Sequence, residues 1–194
     1  MTSKVEKNKR EKELSLYEAA YELFVNKGVH STSISAIAKK AGVGKGTFYL
    51  YFQDKYDLLE RIVIRKSTEV LQRAHDAMIL RTPKTQKEEM TFFIDEILLE
   101  LNREPLILKL IHKNLSWALL KEAVYDYDDL SAVQRLFYRI YDGEGLSEKE
   151  ITYRLYLVIE LTGAVAYNAI IHQEPSPLED IKPLLLESIW KMME

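Results

Sequence analysis

Nearly every stretch of this chain repeats its apolar residues at intervals of three and four, and no stretch sustains strict alternation. Met90, Phe93, Ile94, Ile97, Leu98 and Leu101 are the clearest case, drawing one apolar stripe along a helix at i, i+3, i+4, i+7, i+8 and i+11. Leu16, Ala20, Leu23 and Phe24 mark an earlier helix over about 9–27, which Gly28 ends. Ile34, Ile37, Ala38 and Ala41 mark a short second one with Ser33 as its N-cap, and Gly42 closes it. A further short helix spans about 44–51, with Phe48 and Phe52 one turn apart. Asp54 or Gln53 then starts a helix reaching about residue 80. The 7 glycines and 5 prolines fall mostly between periodic segments, as helix punctuation should. The pattern predicts an all-α fold of about nine helices, three short ones leading several long ones.

The later segments read the same way. Pro105 opens a helix with Leu106, Leu110 and Ile111 on its apolar face. Ser147-x-x-Glu150 forms a capping box ahead of a long helix over about 148–172. Pro183 falls inside the last helix, where it should kink it or delay its start by a turn.

Charge divides the chain. Residues 1–66 hold 13 Lys/Arg against 8 Asp/Glu, whereas residues 67–194 hold 14 against 22. A basic first third on an acidic remainder suits a nucleic-acid-binding head on a differently employed body. The absence of cysteine excludes disulfides and thiolate metal sites. Neither Gly-x-Ser-x-Gly nor His-Glu-x-x-His occurs, and the four histidines are scattered, so the residues point away from an enzyme and from a bound cofactor or metal. The charged start "MTSKVEKNKREKEL" lacks an apolar signal region, and Arg154, Glu160 and Asn168 interrupt the most apolar run, Tyr153–Ile171. These features predict a cytoplasmic chain with no membrane span.

The stretch Gly44-Lys45-Gly46-Thr47 looks like a phosphate loop but fails the Walker A pattern. The position five before Gly44 is Lys39, the residue after Lys45 is Gly46, and no strand precedes it. A helix-turn-helix accounts for it better: Ile34, Ile37, Ala38 and Ala41 face inward, Gly42 makes the turn, and Val43, Phe48 and Phe52 pack the second helix down. Lys45, Thr47, Tyr49 and Tyr51 are then left on or near the outer surface. Gly44 and Gly46 each lower helix propensity by about 1 kcal/mol relative to alanine, which is reasonable where two backbones must come close.

With these residues in view, Ser31–Leu59 resembles the DNA-binding signature of the TetR family of bacterial transcriptional regulators. The carriers are Ile37-Ala38, Ala41-Gly42-Val43, Thr47-Phe48-Tyr49, Tyr51-Phe52 and Lys55. The resemblance implies that Ser33 and Ser35 reach phosphate or a base edge, and that Gly44, Lys45, Gly46 and Thr47 enter the major groove. Lys45 would there bond guanine O6/N7, and Thr47 would touch a thymine methyl or phosphate. Tyr49 and Lys55 match positions that hold the DNA backbone. Tyr51 stands where many members have histidine and keeps a hydroxyl donor. The N-terminal Lys4, Lys7, Lys9, Arg10 and Lys12 either follow the DNA backbone or form a solvated terminus.

The resemblance extends more loosely to the body. It implies a tail and helix-turn-helix domain over 1–53, with the motif at about 33–52. An effector-binding and dimerisation domain over 54–194 would follow, joined to the first by the helix from about 54. The helix over about 148–172 is apolar on more than one side, which predicts a second buried face against another subunit. A homodimer on a palindromic double-stranded operator is implied, with Leu161, Ala164, Val165, Leu185 and Ile189 at the interface. The resemblance also implies a pocket among the middle helices for a small effector, with Phe93, His112, Trp117, Tyr138, Tyr141 and Asn168 as lining, and the polar-tipped aromatics there suit an apolar or aromatic one. The expected function is a repressor that its effector releases from DNA; a DNA-binding protein of the same fold without an effector is the alternative.

Overall fold

The computed structural model describes residues 4–116, 136, 139 and 145–193, and these divide into two compact units at Arg65/Lys66. The first holds α1 (Lys4–Lys27), α2 (Ile34–Lys40), α3 (Lys45–Phe48) and the opening turns of α4 (Lys55–Leu80). The second holds the rest of α4, α5 (Gln86–Arg103), α6 (Pro105–Asn114), α7 (Glu148–Tyr167) and α8 (Leu178–Met193). A π-turn, Asn168–His172, continues α7. Every regular element among the described residues is helical, so the all-α expectation holds.

The head's core is built from the residues whose spacing marked them. Leu16, Ala20 and Phe24 of α1 meet Ile37 and Ala38 of α2, Phe48 and Phe52 around α3, and Leu58, Leu59, Ile62 and Val63 of α4, all buried. The Tyr17 hydroxyl donates to the Ile62 carbonyl at 3.2 Å, tying α1 to α4. An ion pair between Lys40 and Glu22 ties α2 to α1. Asp54 starts α4: its Oδ1 accepts from the amides of Tyr56 and Asp57 at 2.7 and 2.9 Å. Asp57 returns an acceptor to the Gln53 amide at 2.8 Å, so the three amides at this helix start are satisfied by the two carboxylates. Helix α1 begins earlier than its periodicity suggested, at Lys4, and the tail cations Lys4, Lys7, Lys9, Arg10 and Lys12 stand exposed along it.

In the body, Thr85 caps α5, its hydroxyl accepting from the Glu88 amide at 3.1 Å. The predicted stripe of α5, Met90 through Leu101, is buried throughout. Helices α5, α6, α7 and α8 pack on one another. The capping box of Ser147 and Glu150 is formed. Two expectations need correction. Leu106 is half exposed, and α6 buries Ile107 and Leu108 beside the expected Leu110, because periodicity names a face without naming what covers it. Pro183 does not delay the last helix, which begins at Leu178; it lies beyond the first turn and forgoes one backbone bond within a continuous helix. Glu148–His172 is the one helix among the described residues long and apolar enough to cross a membrane by length and composition. Its Arg154 is tied into the body, donating to the Met192 carbonyl at 3.0 Å.

Asp95 joins three elements. Arg81, just beyond α4, donates to its Oδ2 at 2.7 Å and to Glu96 at 3.2 Å, while Lys182 of α8 lies 3.1 Å from Oδ1. Burial alone would push the Asp95 carboxyl up, but hydrogen bonds and charge from Arg81 and Lys182 outweigh it and hold the group below the ordinary carboxylate range. A depressed folded-state pKa contributes stability that is complete above the unfolded value, about 3.9, and is lost as pH falls below it. Asp95→Asn should therefore destabilise the body by about 1–3 kcal/mol at pH 7 and flatten the acid limb of its stability curve, read by urea unfolding between pH 3 and 7. Equal acid sensitivity in both proteins would dismiss the role.

Candidate nucleic-acid interface

Helix α2 opens on Ser33, whose Oγ accepts from the Ala36 amide at 3.1 Å. It closes in a Schellman turn: Val43 N–H bonds the Ala38 carbonyl at 3.0 Å and Gly42 N–H bonds that of Lys39 at 3.2 Å. The turn needs Gly42 at φ +70°, a conformation that a side chain disfavours. The chain leaves it at Gly44 to start α3. Helical bonding continues past Phe48, with Tyr51 and Phe52 amides both on the Phe48 carbonyl at 3.0 Å. Phe48 and Phe52 anchor this segment, their ring centroids 5.5 Å apart and both side chains buried. Tyr49 meets the Phe48 ring edge-on at 5.5 Å.

What this leaves outside is the predicted set, with one exception. Gly44, Lys45, Gly46 and Tyr49 are exposed, as are Ser33 and Ser35; Thr47 and Tyr51 are half buried. Nothing in the fold asks for glycine at Gly46: its φ is not positive, and an added Cβ would meet no atom within 4 Å. Gly44 is nearly as free, with only the Thr47 hydroxyl 4.0 Å from such a Cβ.

Lys55 is the exception and a correction. Its ammonium donates to the carbonyls of Val29, His30 and Thr32 at 2.8, 3.2 and 3.0 Å. An ammonium has three hydrogens, and all are engaged by the loop between α1 and α2, so none is left for a phosphate. Lys55 fixes that loop to the start of α4. The acceptors lie 23–26 residues away in sequence, where no local pattern shows them.

Sequence reasoning missed Leu50. It is 78% exposed, one residue from Tyr49. An apolar residue at full exposure leaves no trace in periodicity, so only its place beside the motif could have flagged it.

In the body, Phe93 is sealed in the core, while His112 and Asn168 are exposed. His112 stacks on Tyr167, centroids 4.0 Å apart, and Asn168 borders an open depression with Val165, Pro175 and Ile181. These three do not line one cavity; Trp117, Tyr138 and Tyr141 lie outside the described residues. Of the expected interface residues, Ala164 is exposed and Leu161 and Val165 are half buried. Leu185 and Ile189 are corrected: at 3% and 1% exposure they pack inside their own chain and have no surface to offer another. Tyr153, Leu157 and Leu184 are the large apolar residues α7 and α8 leave half exposed or more. Among the described residues, no three His, Asp or Glu side chains gather as a metal-binding group.

A capped helix, a Schellman turn and a second short helix with a bare outer face define a helix-turn-helix DNA-binding head, here followed by a body whose described elements are all helical. Residues 16–62 match the model described as bacterial regulatory proteins, tetR family. The head is thus similar to the DNA-binding domain of that family. It is 34% identical over 90 residues to the fatty acid metabolism regulator protein of Bacillus subtilis, a match spanning 46% of this chain and 45% of that one. The chain thus spans less than half the length of the curated relatives it matches. The fold is similar over nearly the full length to FadR of Bacillus subtilis in complex with stearoyl-CoA, at TM-score 0.65 and 20% identity, covering 91% of this chain and 96% of that one. It is equally similar to a TetR family transcription regulator from Marinobacter aquaeolei, at TM-score 0.65 and 16% identity, covering 96% and 97%.

Proposed function

We propose that this protein is a transcriptional repressor, not an enzyme, that binds a palindromic operator as a homodimer through α2 and α3 and leaves it when an acyl-CoA binds the body. The observation that carries the DNA-binding part is Gly46. A residue that costs a helix about 1 kcal/mol, with ordinary dihedrals and open space where a side chain would go, answers to something outside the chain. A major groove pressed against the α3 backbone is such a demand, and Lys45 beside it supplies a donor for guanine. Tyr153, Leu157 and Leu184 favour a second copy covering α7 and α8. The effector class is taken from the relatives: one is named for fatty acid metabolism and one solved neighbour holds stearoyl-CoA.

The test is binding of the purified protein to its own upstream promoter DNA, followed by fluorescence anisotropy. Gly46→Ala should fold at least as stably as wild type, because alanine suits the helix better, and yet bind the promoter about ten-fold or more weakly. Lys45→Ala should relax sequence preference. Stearoyl-CoA should weaken binding about 5–150-fold, the range of ordinary coupling energies. Unchanged binding by Gly46→Ala would remove the DNA-facing assignment. Indifference to every acyl-CoA chain length would leave a DNA-binding protein with another effector or none.

A further inference from the structure

We propose that Leu50 reads thymine, packing its methyl groups on the C5-methyl of a thymine in each operator half-site. The proposal rests on the reading of α3 as the recognition helix and adds a residue and a base to it. Lys45–Phe48 form the helix, and the turn that follows carries i→i−3 bonds from Leu50 to Thr47 and from Tyr51 to Phe48 before Phe52 closes it on the Phe48 carbonyl. Phe48 and Phe52 fix the inward side. Gly46 and Leu50 both lie off that side and are exposed. Leu50 is 78% exposed, and among the described large apolar side chains only Leu80 is more so. The neighbour one turn before it is the residue with nothing around its missing side chain. Gly46 therefore lets the helix axis sink toward the base edges, and Leu50 is the side chain carried down with it. The major groove floor offers one apolar group, the thymine methyl; every other base-edge feature there is a hydrogen-bond donor or acceptor. An isobutyl side chain has nothing to offer a phosphate, so the groove floor is the surface that suits it.

The experiment uses the full chain and a promoter fragment that it protects from nuclease. Thymidines in each half-site are replaced one at a time by deoxyuridine, which deletes only the methyl, and wild type is compared with Leu50→Ala and Leu50→Met. One replacement should weaken wild-type binding by about three- to five-fold, the worth of one buried methyl. Leu50→Ala should bind the natural site about ten-fold more weakly and no longer distinguish thymine from uracil at that position. Leu50→Met, still apolar and of similar volume, should keep the discrimination. Because Leu50 touches little of the head, all three proteins should melt alike. The proposal is overturned if Leu50→Ala binds as tightly as wild type, or remains as sensitive to uracil at every position. A loss that is indifferent to uracil would mean contact with deoxyribose and also overturns it. If wild type protects no promoter DNA, the recognition-helix reading itself fails, a result distinct from any of these.

Discussion

Phe48→Ala should unfold the head and leave the body standing. The Phe48 ring has no solvent exposure and sits against Phe52, in a segment packed on α2. Deleting a buried phenyl costs about 3–5 kcal/mol, the lost transfer energy plus the cavity left behind. A unit of some 65 residues is typically stable by about 3–10 kcal/mol, so the loss consumes much or all of it. Phe48 and Phe52 are the only fully buried side chains of the segment from Lys45 to Phe52, so they carry most of its anchoring. Hydrogen exchange is the direct check. Amides of α1, α2 and the Phe48–Phe52 turn should exchange orders of magnitude faster than in wild type, while those of α5 stay protected by their own core. DNA binding should vanish with the head. If exchange slows or is unaltered across the head, the ring is not the anchor described here.

The second large effect is at Lys55, and it separates two roles that look alike in a binding assay. As a phosphate ligand, Lys55 replaced by alanine would weaken DNA binding and make its salt dependence shallower by about 0.9 in the log–log slope per contact. As a staple for the Val29–Thr32 loop, it would weaken binding by disordering the head while the salt slope stays as it was. The three carbonyl bonds favour the staple. Hydrogen bonds to a charged group are worth about 1.5–3 kcal/mol each and are not additive; for this half-buried amine we expect a loss near 2 kcal/mol in head stability. Lys55→Arg should not rescue it, because a planar guanidinium cannot aim three donors from one point. Thermal unfolding and a salt titration on the same two variants decide the matter. A shallower slope with an unchanged melting temperature would restore the phosphate role.

These two residues also mark how far the sequence could be read. Phe48 was legible because its meaning is local: an aromatic one turn from Phe52, six residues after the Gly42 turn, at the spacing a helix-turn-helix requires. The stripe on α5 and the caps at Ser33, Asp54 and Ser147 were legible for the same reason, since a cap and its amides lie within one turn of each other. The same signature gave the outward set, Lys45, Gly46 and Tyr49, because the inward set fixes its opposite by geometry.

Lys55 was not legible in this way. Its charge is visible, but its acceptors are backbone carbonyls, which every residue has and which become a site only when the loop folds back. Leu106 and Leu185 show the other limit. Both belong to apolar runs, and an apolar run tells that a helix is wanted on one side without telling which neighbour covers it. Packing put Leu106 outside and Leu185 inside. By itself, then, the sequence determined what is set within a turn or two of chain: the helices, their ends, and the spacing of the recognition segment. The tertiary structure alone decided which apolar faces are shared between helices and which cation is spent inside the fold, because both depend on contacts between residues far apart in the chain.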